Sequence, residues 1–196
     1  MIAAVVLAAG GSRRLGGHPK QLLRVDGRLL VARVLDAVLG SRVGETIAVT
    51  GYRADEVRAA AGEVAVRWVD NPDWPGGMST SLKAGLVAVG PEAAGVLLVL
   101  ADQPFLSSTL IDRLIAAFET APGPVIVRPA CGGKAGHPVL VARPFIKALQ
   151  TAEGDEGGRG ALAAFSRQII TVSAAEWEIM DVDTREDAAR CGARWS

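Results

Sequence analysis

Residues 4–20 read AVVLAAGGSRRLGGHPK. The reading starts two positions earlier: Ile2 to Leu7 is an apolar run without helical periodicity, the pattern of a strand buried on both faces of a parallel sheet. The run then dissolves into Ala8, Ala9, Gly10, Gly11 and Ser12, followed by Arg13, Arg14, a second glycine pair at Gly16 and Gly17, and Lys20. Small residues let backbone N–H groups approach a ligand closely. A concave row of such groups flanked by Arg13, Arg14 and Lys20 suits a polyphosphate. A Walker A loop is excluded because Gly17 and His18, not Lys-Ser or Lys-Thr, follow Gly16. A dinucleotide fingerprint is excluded because position 12 is Ser. An ordinary glycine-rich turn between strand and helix is the plainer alternative.

Composition narrows the class. Hydrophobic residues make up 49% of the 196 and charged residues 21%, the balance of a globular chain with a sizeable core. One domain spanning 1–196 is expected. Formal net charge is zero, so there is no general basic field for nucleic acid, and any anionic ligand must be held by local charge. No apolar stretch reaches membrane-spanning length and no signal peptide opens the chain, so a cytoplasmic setting is expected. Cys131 and Cys191 form no C-x-x-C pair and have only His18 and His137 to assist them, which argues against structural zinc.

Further along, Leu29–Leu39, Arg53–Ala61 and Ser108–Thr120 carry helical patterns. Val43–Thr50, Val64–Val69, Gly95–Ala101, Val125–Arg128, Val139–Val141 and Gln168–Val172 carry strand patterns. Asp26-Gly27 marks a turn, and a short helix is expected near Ala188–Ala193. The alternation predicts an α/β fold around a mostly parallel sheet. Asp102 follows the most strand-like segment, GVLLVLA, at the end where open α/β sheets bind ligands. An acid there needs a partner, and a divalent metal on a triphosphate is one. In DNPDWPGGMSTSLKAGL (70–86), the run Ser79-Thr80-Ser81 opens a helix. Its bare N–H groups suit a base edge or phosphate, and Ser79 suits equally a plain N-cap. The acids in Ile179-Met180-Asp181-Val182-Asp183-Thr184-Arg185-Glu186-Asp187 do not make an EF-hand, which requires Gly at loop position six and Glu at twelve.

These motifs together resemble one family. LAAG-x-S-x-R-x-G-x-x-x-K, with the motif arginine on Arg14, resembles the signature loop of Rossmann-like nucleotidyltransferases. Within them it is most similar to the molybdenum cofactor cytidylyltransferase and molybdopterin-guanine dinucleotide synthase group. The resemblance implies a three-layer α/β/α, glycosyltransferase-A-like fold. It implies that Leu7, Ala8, Ala9, Gly10, Gly11, Ser12, Arg13, Arg14, Gly16 and Lys20 bind nucleotide, joined by Asn71, Gly77, Met78, Ser79 and Ser81 in the second motif. Lys20, Arg14 and Asp102 would be the catalytic residues. Asp102, in Asp-Gln-Pro, and Asp183 would hold Mg2+, although Arg185 replaces a proline usual in that last motif. His137 in Gly-His-Pro, and Asp155 and Arg159 in the glycine-rich loop 153–160, would face the acceptor. That loop is otherwise a solvated turn.

The implied reaction is attack of an acceptor phosphate on the α-phosphorus of a nucleoside triphosphate, with pyrophosphate leaving. Leu-Ala-Ala-Gly goes with cytidylyl transfer in the resembled family, because the Ala9 methyl would crowd a purine, so CTP is favoured over GTP and molybdopterin is the expected acceptor. A molybdenum enzyme is a possible partner for the product. Alternatives are another phosphorylated acceptor, a carrier of the finished cofactor, and a nicotinamide-dependent oxidoreductase.

Overall fold

The computed structural model of the chain describes residues 1–12, 15–154 and 158–195, with every side chain among them except that of Arg159. Strand β1 (Ile2–Leu7) lies inside an eight-stranded sheet. Its neighbours are β4 (Glu45–Thr50) and β6 (Gly95–Leu100), both parallel to it. On one side β5 (Arg67–Asp70) continues the parallel run beyond β4. On the other, β9 (Val139–Ala142) is antiparallel to β6 and to β7 (Ile126–Cys131). Strand β10 (Ile169–Ser173) closes that edge parallel to β7, and β8 (Lys134–Ala135) forms a hairpin with β7. The sheet is therefore mostly parallel, with β8 and β9 reversed.

Alternation along β1 builds the layers. Ile2, Ala4, Val6 and Ala8 face one core with α1 (Leu30–Leu39), α2 (Ala54–Ala61) and α4 (Ser108–Glu119). Val5 and Leu7 face the other, with α3 (Met78–Ala88), α5 (Arg143–Leu149) and α6 (Arg159–Ala163). Leu30, Val31, Val34, Leu35 and Val38 form the buried stripe of α1, the spacing of an amphipathic helix. Helix α4 begins where Ser107 accepts a hydrogen bond from the Leu110 N–H at 3.1 Å, a side-chain N-cap. Helix α3 lies so close to the sheet that a Cβ on Gly85 would stand 2.3 Å from Val5 Cγ1.

A third core cluster ties the ends of the chain together. Leu15, Leu23, Val25 and Leu30 pack with Val182, Ala188 and Cys191. Here the two-stranded hairpin of β2 (Arg24–Val25) and β3 (Arg28–Leu29) turns at Asp26 and Gly27, both at positive φ, as a two-residue hairpin requires. Arg24 and Arg194 exchange backbone hydrogen bonds at 2.8 and 2.9 Å.

Several boundaries differ from the expectation. Strand β5 begins at Arg67, not Val64, because the Val66 N–H turns back to the Val64 carbonyl. The last helix, α7 (Arg185–Arg190), begins three residues earlier than expected because Thr184 and Asp187 form a reciprocal capping box. Ser79 is not a cap: α3 starts at Met78 with Gly77 as its N-cap, and Ser79 is buried in the first turn. Among the described residues no helix is long and apolar enough to cross a membrane.

Candidate active site

The parallel strands β1, β4 and β6 end on one edge, and the chain after each contributes to a common cleft. After β1 the loop Ala8–Ser12 is fixed from behind. Buried Gln21 donates its side-chain amide to the carbonyls of Ala8 at 3.2 Å and Gly10 at 3.4 Å. Ser12 takes a left-handed conformation, φ 49°. Its hydroxyl accepts the Lys20 N–H at 2.8 Å, and its carbonyl accepts the N–H of Leu15 at 2.9 Å. The loop is thereby closed on itself, while the N–H groups of Gly10, Gly11 and Ser12 have no acceptor among the described residues. Free N–H groups on a closed loop are what anion binding needs.

An aromatic pair overlies this loop. Tyr52 and Trp74 stand 5.1 Å apart between ring centroids. A Cβ on Gly11 would meet the Trp74 ring at 2.9 Å, so glycine is required where the indole crosses the loop. Neither Tyr52, Trp74 nor Gln21 is among the residues that the sequence motifs single out. A bulky aromatic three residues after Asn71, in a turn, is the signal that points to Trp74. Ala9 is 2% exposed, and a Cβ on Gly51 would stand 3.0 Å from its methyl. The methyl is thus packed against the Gly51 backbone in this structure.

Lys20 leaves the loop to meet two carboxylates. Its ammonium contacts Asp102 Oδ2 and lies 2.7 Å from Asp183 Oδ1. Asp102 stands just beyond β6, its side chain 9% exposed; Asp183 precedes α7, its side chain 45% exposed. The two segments are joined by the Val182 N–H donating to the Asp102 carbonyl at 3.0 Å. Burial works against the charge on Lys20, but Asp102 and then Asp183 outweigh it and hold the ammonium above its ordinary pKa. Asp181 sits beside the pair. Burial, then the negative charges of Asp102 and Asp183, pushes its carboxyl above the usual carboxylate range.

The second carboxylate oxygen of Asp102 is buried without a hydrogen-bond partner among the described residues. An orphaned anionic oxygen beside a second, half-exposed carboxylate fits a divalent cation that takes its remaining ligands from phosphate and water. Among the described residues no group of three or more His, Cys, Asp or Glu is arranged to hold a metal by itself, so a cation on this pair would need further ligands from outside the protein.

The other expected residues are distributed around this centre. Asn71 is 4% exposed and committed inward. Its amide donates to Thr80 Oγ1 and Ser81 Oγ, both at 2.9 Å, and its carbonyl accepts the Asp73 N–H at 3.1 Å. Ser79 and Ser81 are buried, Met78 is exposed, and Gly77 starts α3 without a side-chain cap. The carbonyl of His137 accepts the side-chain amide of buried Gln103 at 2.9 Å, next to a cis His137–Pro138 bond. Beside Asp181 a cavity of about 300 Å³ opens, lined by Cys131, Lys134, Ile179, Met180 and Arg190 among others. Arg13, Arg14, Asp155 and the Arg159 side chain lie outside the described residues.

Comparison with known proteins agrees with this geometry. The MobA-like NTP transferase domain pattern matches residues 4–170. The chain is 34% identical over 171 residues to nicotine blue oxidoreductase of Paenarthrobacter nicotinovorans, covering 81% of this chain and 79% of that one. It is 28% identical over 197 residues to the molybdenum cofactor cytidylyltransferase of Escherichia coli K12, covering 100% and 97%. Rv0371c of Mycobacterium tuberculosis H37Rv, crystallised in complex with manganese, superposes with a TM-score of 0.79 at 30% identity, covering 97% of each chain. The three-layer α/β/α fold, the loop closing on Lys20 and the matched span together make this chain a nucleotidyltransferase of the MobA-like NTP transferase domain family.

Proposed function

We propose that the chain transfers the cytidylyl group of CTP to the phosphate of a molybdopterin-type acceptor and releases pyrophosphate, acting as a single domain. The observation that carries this reading is the convergence of Lys20, Asp102 and Asp183 beside a closed loop with free N–H groups. Across the whole of this chain, similarity to a protein named molybdenum cofactor cytidylyltransferase supports the acceptor. Leu7-Ala8-Ala9-Gly10 matches the cytidylyl form of the loop. With its methyl buried, Ala9 acts on base choice by setting the spacing between this backbone and Gly51 beneath Trp74.

The N–H groups of Gly10, Gly11 and Ser12 take triphosphate oxygens, with Lys20 and Arg14 balancing their charge and Arg13 a weaker contributor. Asn71, Ser79 and Ser81 shape the start of α3, where Gly77 and Met78 meet the nucleotide. Asp102 and Asp183 would hold magnesium, which when bound neutralises charge across the phosphate oxygens. An oxygen of the acceptor phosphate attacks the α-phosphorus, the bond to the β-phosphate oxygen breaks, and its electron pair leaves with pyrophosphate. An attacking phosphate is already ionised near neutral pH, so the chain needs no general base. Catalysis here is positioning and charge neutralisation. His137, Asp155 and Arg159 orient the acceptor.

The test is pyrophosphate release from each of the four ribonucleoside triphosphates with magnesium, with and without molybdopterin. CTP turnover that requires molybdopterin is the expected result. A GTP preference overturns the reading of Ala9, and CTP turnover with another phosphorylated acceptor overturns the pathway. Molybdopterin binding without turnover makes the chain a carrier. The name of the relative from Paenarthrobacter favours a second reading, hydride transfer from a nicotinamide cofactor. Oxidation of NADH or NADPH without any pyrophosphate release would select it.

A further inference from the structure

The cation already present between Asp102 and Asp183 is the protein's own. The Lys20 ammonium contacts an oxygen of each carboxylate, and its side chain is only 18% exposed. A divalent ion seeking the same two oxygens must displace an ammonium or sit against its positive charge, and both oppose binding. The lysine backbone cannot retreat, because its N–H is held on Ser12 Oγ at 2.8 Å. The stem can: four flexible carbons separate the anchored backbone from the charge. The loop that anchors Lys20 is the same loop whose Gly10, Gly11 and Ser12 N–H groups have no acceptor among the described residues. A polyphosphate on those groups would place strong anionic oxygens beside the stem, the one ligand able to compete with two carboxylates for the ammonium.

We infer that Lys20 is a resident counter-ion that bars divalent metal from the Asp102–Asp183 pair until a nucleoside triphosphate draws it away. Metal then enters with the nucleotide and not before it. This inference rests on the nucleotide and metal assignments proposed above. In this structure the one positive charge faces both carboxylates, which satisfies Asp102 on one oxygen while the other has no hydrogen-bond partner among the described residues. When the triphosphate arrives, the ammonium exchanges carboxylate for phosphate, and both carboxylates face the incoming metal. Linkage makes the effect reciprocal: the factor by which nucleotide tightens metal binding is the factor by which metal tightens nucleotide binding.

The experiment measures Mn2+ binding to the full chain by the electron paramagnetic resonance signal of free Mn2+, without nucleotide. Wild type, Lys20→Met and Lys20→Met/Asp102→Asn are compared. Removing the lysine is expected to tighten Mn2+ binding by about tenfold or more, within the usual range of coupling between sites. The added Asp102→Asn change is expected to abolish that gain. Mn2+ should also raise the Tm of Lys20→Met more than that of wild type, because a ligand that binds only the folded state stabilises in proportion to its affinity. Equal Mn2+ affinity in wild type and Lys20→Met, with Asp102 still required, overturns the exclusion while leaving the metal site intact. Tight Mn2+ binding that survives Asp102→Asn overturns the metal assignment itself. If Lys20→Met does not fold, Lys20→Gln and a wild-type measurement replace it. Wild type with a non-hydrolysable CTP analogue should bind Mn2+ more tightly than wild type alone, after subtracting what the analogue binds without protein. No gain there overturns the inference.

Discussion

Asn71 is where the sequence and the structure assign different work to one side chain, and replacing it with alanine separates the two. By resemblance the residue belongs to the nucleotide. In the fold its amide is spent on Thr80 Oγ1, Ser81 Oγ and the Asp73 N–H, all within 3.1 Å. The three bonds together brace the turn between β5 and α3 against the first turn of the helix. Thr80 Oγ1 keeps other partners, the carbonyls of Asp73 and Gly77, but Ser81 Oγ and the Asp73 N–H lose the one each has among the described residues. With a net ~0.5–1.5 kcal/mol for each hydrogen bond, Asn71→Ala should cost about 2–4 kcal/mol. In a chain of this length, where 1 kcal/mol shifts Tm by ~2–4 °C, that is a fall of about 10 °C. Urea unfolding followed by circular dichroism gives the free energy, and CTP titration at low temperature gives the affinity of what remains folded. Asn71→Asp should lose less, because the carboxylate still accepts the Asp73 N–H and Ser81 Oγ can turn to donate to it, while Thr80 Oγ1 keeps its proton on the backbone carbonyls. An unchanged urea midpoint in Asn71→Ala together with lost CTP binding would refute this argument, since the amide would then serve the ligand and not the helix.

Three further outcomes are expected. Asp102→Ala should lower turnover by ~10²–10³, the scale of one lost electrostatic contact, in a pyrophosphate-release assay; near-normal turnover in purified, folded protein would remove Asp102 from the metal site. Gly85→Ala, which in an exposed helix would stabilise by about 1 kcal/mol, should here destabilise by ~1–3 kcal/mol, because the new Cβ meets Val5 Cγ1; an equal or higher urea midpoint would contradict the packing of α3 on β1. The hydrogen bond from Arg58, then that from Thr50, holds the Asp70 carboxyl below its ordinary pKa. Its stabilisation is present above the unfolded value near ~3.9 and fades as pH falls through the lowered folded value. Asp70→Asn should therefore lose up to ~1 kcal/mol at pH 7, as expected for an exposed pair, and match wild type in strong acid; a gap that widens toward acid would reverse the sign.

Much of the fold around the candidate site could be read from the sequence, for physical reasons. A strand buried on both faces must be a continuous apolar run, so β1 and β6 announce themselves, and the residues just after them are where an open α/β sheet leaves its ligands. Loop glycines and Lys20 follow from what a phosphate requires. Direction is another matter. Val139–Ala142 is buried whichever way it runs, so nothing in its composition says that it enters the sheet antiparallel. Helix α5 went unread because it is short and carries its proline in the first turn. The inward bonds of Asn71 could not be read from the sequence, because its burial and the approach of its amide to Thr80, Ser81 and Asp73 arise only once the turn after β5 folds onto α3.

The second carboxylate was the hardest to place, and the reason lies in the backbone. Lys20 and Asp183 are 163 positions apart, and no periodicity links them. What brings them together is the packing of Val182, fully buried against the hairpin cluster of Leu15, Leu23 and Val25. Its N–H then lands on the carbonyl of Asp102. One main-chain hydrogen bond thus couples the segment that bears one carboxylate to the segment that bears the other. The alternation Asp181-Val182-Asp183 follows from the same contact, because a buried apolar residue between two acids sends Val182 into the core and leaves its neighbours beside the cleft. The chemistry of the site is written in side chains, but the distance across it is set by a bond that every residue except proline can make.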